Sequence, residues 1–308
     1  MKSEDNELLN EKIGEIFANK GIKITPDIRD RLSRRINEIK NYVPKIGIFG
    51  KTGVGKSSLC NALFGAEISE VSDVAACTRE PKEFMLKMAA EDSKGLILMD
   101  CPGLGETPER DGEYKELYKR LIPELDLILW VLDSSERAYG ADISAHRELF
   151  NDTKEASKVI FVLNKVDDFK PKNEWDELTN SPGQKQNELI QEKEENVSKQ
   201  FSISHDKICS ISVEKKYSLG LLVEFIISAV PNEKKYGFVR EAVEENVTTK
   251  AEAAAEKGFF EALWDSVKDG AKDTAEAVSS FYDKHQDTIR SVVSALFNAW
   301  ITLKVKKK

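Results

Sequence analysis

Between residues 45 and 230 the apolar positions fall in short unbroken runs separated by stretches in which they recur three or four apart. The runs are KIGIF (45–49), GLILMD (95–100), LDLILWVLD (125–133), KVIFVLN (158–164) and KICSIS (207–212), each bounded by turn or polar residues. Runs without alternation suit parallel strands covered on both faces, where neither face needs polar positions. The segment PKEFMLKMA (81–89) alternates more, which predicts an edge strand paired with 95–100. Amphipathic stretches at 56–64, 113–121, 142–155, 184–200 and 218–229 predict the intervening helices. Residues 168–205, rich in Lys, Glu, Asn and Gln, predict a solvated loop and helix. Strand and helix in alternation give an α/β class with a mostly parallel sheet.

The two flanks follow helical spacing alone. Residues 7–20 carry Leu9, Ile13, Ile16 and Phe17 on one stripe. A second helix is predicted to start at TPDIRD, with Thr25 as N-cap, Pro26 in the first helical position and Asp27 at the positive helix end. Its apolar positions Ile28, Leu32, Ile36, Ile39 and Val43 continue to Pro44. After Pro231 no strand-like run occurs. Phe260, Leu263, Trp264 and Val267 form one stripe, Ala275, Val278, Phe281 and Tyr282 another, and 289–301 a third.

Composition works mainly by exclusion. Of the 308 residues, 40% are hydrophobic and 32% charged, enough for a sizeable core under a polar surface. A net charge of −8 gives no general attraction for nucleic acid. Cys60, Cys77, Cys101 and Cys209 show no C-x-x-C spacing, and the three histidines are scattered, which argues against disulfides and a metal cluster. The N-terminus is acidic and lacks an apolar signal core, and no apolar stretch reaches the roughly 20 residues of a spanning helix. A cytoplasmic location is the expectation.

Candidate chemistry begins at GKTGVGKSSLCNALFG (50–65), which fits G-x-x-x-x-G-K-[ST] between a strand run and a helical pattern. The backbone of Gly50, Lys51, Thr52, Gly53, Val54, Gly55, Lys56, Ser57 and Ser58 would curl around phosphates at a helix N-terminus. Lys56 would neutralise the phosphates and the Ser57 hydroxyl would ligate Mg2+. Alone, such a loop fits ATP as well as GTP. In LILMDCPGLGE (96–106), Asp100 ends a strand and can hold the Mg2+ shell through water, while the Gly103 N–H can meet a γ-phosphate oxygen. In VLNKVDD (162–168), Asn164, Lys165 and Asp167 follow another strand. An aspartate there accepts from both N1–H and the exocyclic amine of guanine; adenine offers neither donor in that arrangement and would leave a carboxylate unpaired. Lys165 can lay its stem along the base. The last run leads into Ser212, Val213 and Glu214, where a backbone N–H can reach the guanine oxygen.

In order, spacing and strand context these motifs resemble the five-motif pattern of the Ras-like GTPase superfamily. DCPGLGE and CTRE resemble its bacterial Era-like branch, particularly prophage-associated predicted GTPases, over residues 45 to about 230. The resemblance implies a six-stranded, mostly parallel sheet with helices on both faces, GTP and GDP as ligands, and Mg2+-dependent hydrolysis. It implies a switch threonine closing over Mg2+, for which Thr78 in VSDVAACTREPKEF is the candidate. Lys56, Thr78 and Gly103 would then be the catalytic set. Where Ras places a water-orienting glutamine this chain has Leu104, whose side chain forms no hydrogen bond, so slow intrinsic hydrolysis is expected. Gly53 stands where K+-activated relatives carry asparagine. The expectation is a nucleotide-dependent homodimer meeting across the switch loops, with Arg79 or Arg137 supplying charge in trans; a surface salt bridge is the alternative role for each.

The helical flanks resemble those of immunity-related and dynamin-like GTPases. This implies an all-α domain built from N- and C-terminal helices, dividing the chain into 1–44, a G domain at 45–231, and 232–308. Its movement would report the nucleotide state to a protein effector. Three alternatives stay open, one of them a GTP sensor that does not hydrolyse its nucleotide. A ribosome- or RNA-associated Era-like GTPase is less favoured, because residues 231–308 balance 13 Lys plus Arg against 13 Asp plus Glu. A dynamin-like GTPase would make peripheral membrane contact through its C-terminal helix, using Trp300 and the LKVKKK tail.

Overall fold

A computed structural model describes residues 24–65, 118–150 and 154–266 throughout, the backbone of 83–86, 96–100 and 267–269, and further helical residues within 11–19, 115–116 and 290–297. The elements are α1 (Pro26–Lys40), β1 (Lys45–Phe49), α2 (Lys56–Phe64), β2 (Glu83–Leu86), β3 (Leu96–Asp100), β4 (Leu127–Asp133) and α3 (Gly140–Phe150). They continue as β5 (Val159–Asn164), α4 (Gln184–Phe201), β6 (Ile208–Ser210), α5 (Leu219–Ala229), α6 (Asn232–Glu241) and α7 (Thr249–Asp269). The strands form one sheet in the order β2-β3-β1-β4-β5-β6. Only β2 runs antiparallel, as an edge against β3; side chains are described for β1, β4, β5 and β6. From β1 the chain builds outward in one direction through β3 and in the other through β4. Such a reversal opens a crevice at the carboxyl ends of the strands.

The unbroken apolar runs have a direct cause: both faces of the sheet are covered. Along β4, Leu127, Leu129 and Val131 pack with Leu59 and Leu63 of α2 and Leu222 and Ile226 of α5. Ile128, Trp130 and Leu132 point the other way, to Tyr118, Leu149 and Phe150 of α3, and Val197 and Phe201 of α4. A one-residue slip of β4 would exchange these two sets.

The flanking helices share the first of these cores. Leu32, Ile36 and Ile39 of α1, Tyr236 and Phe238 of α6, and Ala255, Phe259 and Leu263 of α7 belong to the same apolar cluster as α2 and α5. Phe297 is fully buried there, its ring 5.6 Å from Tyr236 and 6.1 Å from Phe259, so this position of the last helical stripe packs inward. α1 starts as the sequence reads, with the Ile28 N–H donating to Thr25 Oγ1 at 3.3 Å and Pro26 in the first turn. Its other end is capped from α6. Arg240 Nη1 donates to the Lys40 carbonyl at 2.6 Å and Nη2 to that of Tyr42 at 2.9 Å, while its Nε pairs with buried Glu241. Asp126 closes the same seam, accepting from Tyr42 Oη at 2.6 Å, the Lys45 N–H at 2.8 Å and Lys234 Nζ at 2.6 Å.

Three expectations need correction. The helix read over 142–155 is described as far as Phe150, and at its far end Lys154–Lys158 forms a 3-10 turn that buries no residue, so 154–155 do not belong to the helix. The strand read over 207–212 stops at Ser210, because Ser212 turns away to bridge Tyr217. The polar stretch at 168–205 is not merely solvated: α4 buries Gln186, Ile190, Val197 and Phe201, and Trp175 packs with Val166 and Ile190. Among the described residues no helix is long and apolar enough to cross a membrane.

Candidate functional site

The loop after β1 is built on backbone that only glycine adopts without strain. Gly50, Gly53 and Gly55 have φ of +135°, +86° and +94°. Two of them also lack room: a Cβ on Gly50 would stand 2.3 Å from the Val131 carbonyl oxygen, and one on Gly55 2.5 Å from Asn164 Nδ2. α2 begins at Lys56 with Gly55 as its N-cap and no side-chain cap. Its first turn, with half-buried Ser57 and exposed Ser58, has the geometry that suits an anion at a helix N-terminus. Lys56 lies back across the loop, Nζ donating at 2.9 Å to the carbonyls of both Gly50 and Lys51.

Asn164 at the end of β5 is 2% exposed and works in two directions. Its Nδ2 donates to the Val54 carbonyl at 3.0 Å, and its Oδ1 accepts the Val213 N–H at 3.2 Å. Lys165, in the left-handed region at φ +65°, donates from Nζ to the Gly53 carbonyl at 2.9 Å and pairs with Asp133 at 2.6 Å. Burial pushes the Asp133 carboxyl up, but the Lys165 ammonium and two bonds from Ser135 outweigh it and hold it below the usual range. Asp167 lies half-buried in the 3-10 turn Val166–Asp168, and its carboxylate accepts no hydrogen bond from the described residues. The three motif residues thus separate into two, Asn164 and Lys165, that fasten the end of β5 to the loop after β1, and one, Asp167, whose carboxylate takes no part in that fastening.

Of the three residues expected to meet the base oxygen, two have their N–H groups engaged. The Ser212 N–H donates to the Tyr217 carbonyl at 3.2 Å and the Val213 N–H to Asn164, which leaves the Glu214 amide without a partner among the described residues. Sequence reasoning missed what supports this loop. Trp175 sits edge-on to Tyr217 with ring centroids 5.3 Å apart, and Asn180 donates to the Lys215 carbonyl at 2.7 Å. The available signal was Trp175 itself, the only aromatic residue between 170 and 200.

Lys51 leaves the phosphate loop sideways, with Nζ 2.7 Å from Glu136 Oε2 and 3.6 Å from Asp142 Oδ2. Arg137, next to Glu136 in the turn after β4, is exposed. Asp100 is placed by backbone alone: it ends β3 in register with Ile48, two residues before Gly50. Thr78, Arg79, Gly103 and Leu104 lie outside the described residues.

Residues 45–165 match the family described as "50S ribosome-binding GTPase". Over 249 residues the chain is 39% identical to "Uncharacterized protein YkfA" of Escherichia coli (strain K12), covering 78% of this chain and 82% of that one. It is 37% identical over 212 residues to "Uncharacterized protein YfjP" of the same strain, covering 67% and 69%. To GTPase Era of Clostridium perfringens (strain 13 / Type A) it is 29% identical over 192 residues, covering 62% of this chain and 57% of that protein.

Proposed function

The chain belongs to the Era-like branch of the P-loop GTPases, and from that premise we propose that it hydrolyses GTP to GDP and phosphate with Mg2+ and switches between two nucleotide states. The observation that carries this reading is Asn164. By bonding Val54 on one side and Val213 on the other, it holds a guanine-reading carboxylate beside a phosphate cradle. Asp167 then accepts from N1–H and the exocyclic amine, the Glu214 amide meets the base oxygen, and the Lys165 stem lies along the ring. Lys56 and the N–H groups of the loop carry the β- and γ-phosphates, and the Gly103 amide senses the γ-phosphate.

The Ser57 hydroxyl at the first turn of α2 and the carboxylate of Asp100, on the strand registered with β1, are hard oxygen donors of the kind Mg2+ takes. With Thr78 they would hold it, and the ion would offset charge on the β- and γ-oxygens. Leu104 cannot orient water, so turnover by one subunit is slow, and a second subunit supplies what is missing. Arg137 suits that role, because the Glu136 to Lys51 pair fixes its neighbour against the phosphate loop while Arg137 stays exposed.

The helices outside 45–231 form the responding part. The linker between α6 and α7 is bonded to both ends of the nucleotide machinery. The Val243 N–H and Asn246 Nδ2 donate at 2.8 Å to the Leu63 and Ala62 carbonyls at the C-terminus of α2. Glu245 pairs with Lys216 of the base loop at 2.9 Å. Turnover per subunit measured from nanomolar to tens of micromolar protein tests the dimer: the rate should climb with concentration, and a flat profile removes it. The description of the matched family favours a second reading, association with the large ribosomal subunit, which co-sedimentation before and after nuclease treatment tests.

A further inference from the structure

We propose that Asp142 is a positioning residue for the phosphate-binding Lys56, acting through Lys51; the inference rests on the GTPase reading of the loop. Asp142 is the third residue of α3 and is 1% exposed. One oxygen accepts Trp130 Nε1 at 3.1 Å, and the other, Oδ2, accepts no hydrogen bond. A half-satisfied buried carboxylate bonded to Trp130 of the aromatic core is costly, and an apolar residue would fill the position with no such penalty. Its compensation is the Lys51 ammonium, 3.6 Å from Oδ2, which Glu136 grips from the other side at 2.7 Å. Burial works against charge on both partners. It raises the Asp142 carboxyl, against the Trp130 bond and Lys51, whereas on Lys51 the Glu136 and Asp142 carboxylates win and keep the ammonium protonated.

Lys51 links this buried charge to the phosphates through its own backbone. Its carbonyl accepts from Lys56 Nζ at 2.9 Å, and its neighbour Gly50 is wedged against Val131 on the strand that carries Trp130. A side chain held by two carboxylates on separate elements limits rotation of the Lys51 peptide. The acceptor that aims Lys56 is therefore fixed before nucleotide arrives. Trp130, Asp142, Lys51 and Lys56 form one chain of contacts from the core to the phosphate cradle, with Glu136 bracing it.

The test is a double-mutant cycle of Asp142→Asn and Lys51→Met on the full chain, read as kcat/KM for GTP and as GTP affinity. Each single variant should lower kcat/KM on the order of ten- to a hundred-fold, the scale of a misplaced catalytic group. The double variant should be no worse than the poorer single, and Lys51→Arg should recover most of the loss. Losses that multiply in the double variant, or an Asp142→Asn enzyme within about twofold of wild type, overturn the proposal. If Asp142→Asn does not give the wild-type far-ultraviolet spectrum, Asp142→Glu takes its place and should show the same non-additivity. Wild type that fails to bind GTP would instead overturn the GTPase reading, so the two failures are distinct.

Discussion

Asn164 Nδ2 donates to the carbonyl oxygen of Val54 at 3.0 Å across a separation of 110 residues, and the contact is buried. A single side chain thereby makes the phosphate loop, the end of β5 and, through Val213, the loop after β6 into one unit. Asn164→Ala would strip partners from a carbonyl and an N–H together, at about 1–3 kcal/mol for each group left unsatisfied. The expected outcome is a lower urea midpoint and a loss of GTP affinity on the order of ten-fold or more, measured by calorimetric titration. Unchanged affinity with a lowered midpoint would confine Asn164 to the fold.

Arg240 makes a second prediction. Its guanidinium caps α1 at Lys40 and Tyr42 and neutralises Glu241, which is fully buried. Arg240→Met leaves that carboxylate alone, which in buried pairs costs about 3–5 kcal/mol. Removing both charges, with Arg240→Met and Glu241→Met, should recover part of the loss. Denaturant unfolding of the three proteins checks this; equal loss in the single and double variants would show that the carboxylate itself carries no penalty.

What the sequence made legible was local geometry that needs given residue types at short fixed spacing. The glycines at 50, 53 and 55 take the positive-φ backbone of the loop after β1, and Thr25 caps α1 from within a few residues. The run pattern identified the strands because burial on both faces leaves nothing polar to place there. Hidden were contacts between distant positions. Lys51 meets Glu136 85 residues away and Arg240 reaches Lys40 across 200, with no local pattern marking either. Pro231, where the run pattern gives way to helical spacing, is the N-cap of α6, yet the apolar cluster runs across that position from α2 to α7. Trp175 was obscured by the charge around it, although one bulky aromatic in a polar stretch is a sign of packing.

Acid should reveal His146. Burial among Trp130, Phe150, Phe161 and Phe201, then the charge of Arg147, push its imidazole down to about 4 from the ordinary 6.5. Between those values the unfolded chain takes a proton that the native protein refuses, so stability falls as pH drops from 6.5 towards 4 and is unaffected by this group above 6.5. The loss integrates to about 3 kcal/mol, and His146→Phe should remove that part of the slope. Urea unfolding of both proteins at pH 7.5, 5.5 and 4.5 measures it; parallel slopes would refute it.

The central claim is that the Asp167 carboxylate reads guanine, and changing that acceptor into a donor tests it most directly. Competition of GTP, ATP and XTP for the site should be measured on wild type and on Asp167→Asn. Wild type should prefer GTP over ATP by at least about a hundred-fold, the scale of leaving a buried polar group unpaired. In the variant, the asparagine N–H should pair with the 2-oxo group of xanthine and move the preference to XTP. Equal affinity of wild type for GTP and ATP, or an Asp167→Asn protein that still prefers GTP, would contradict the account.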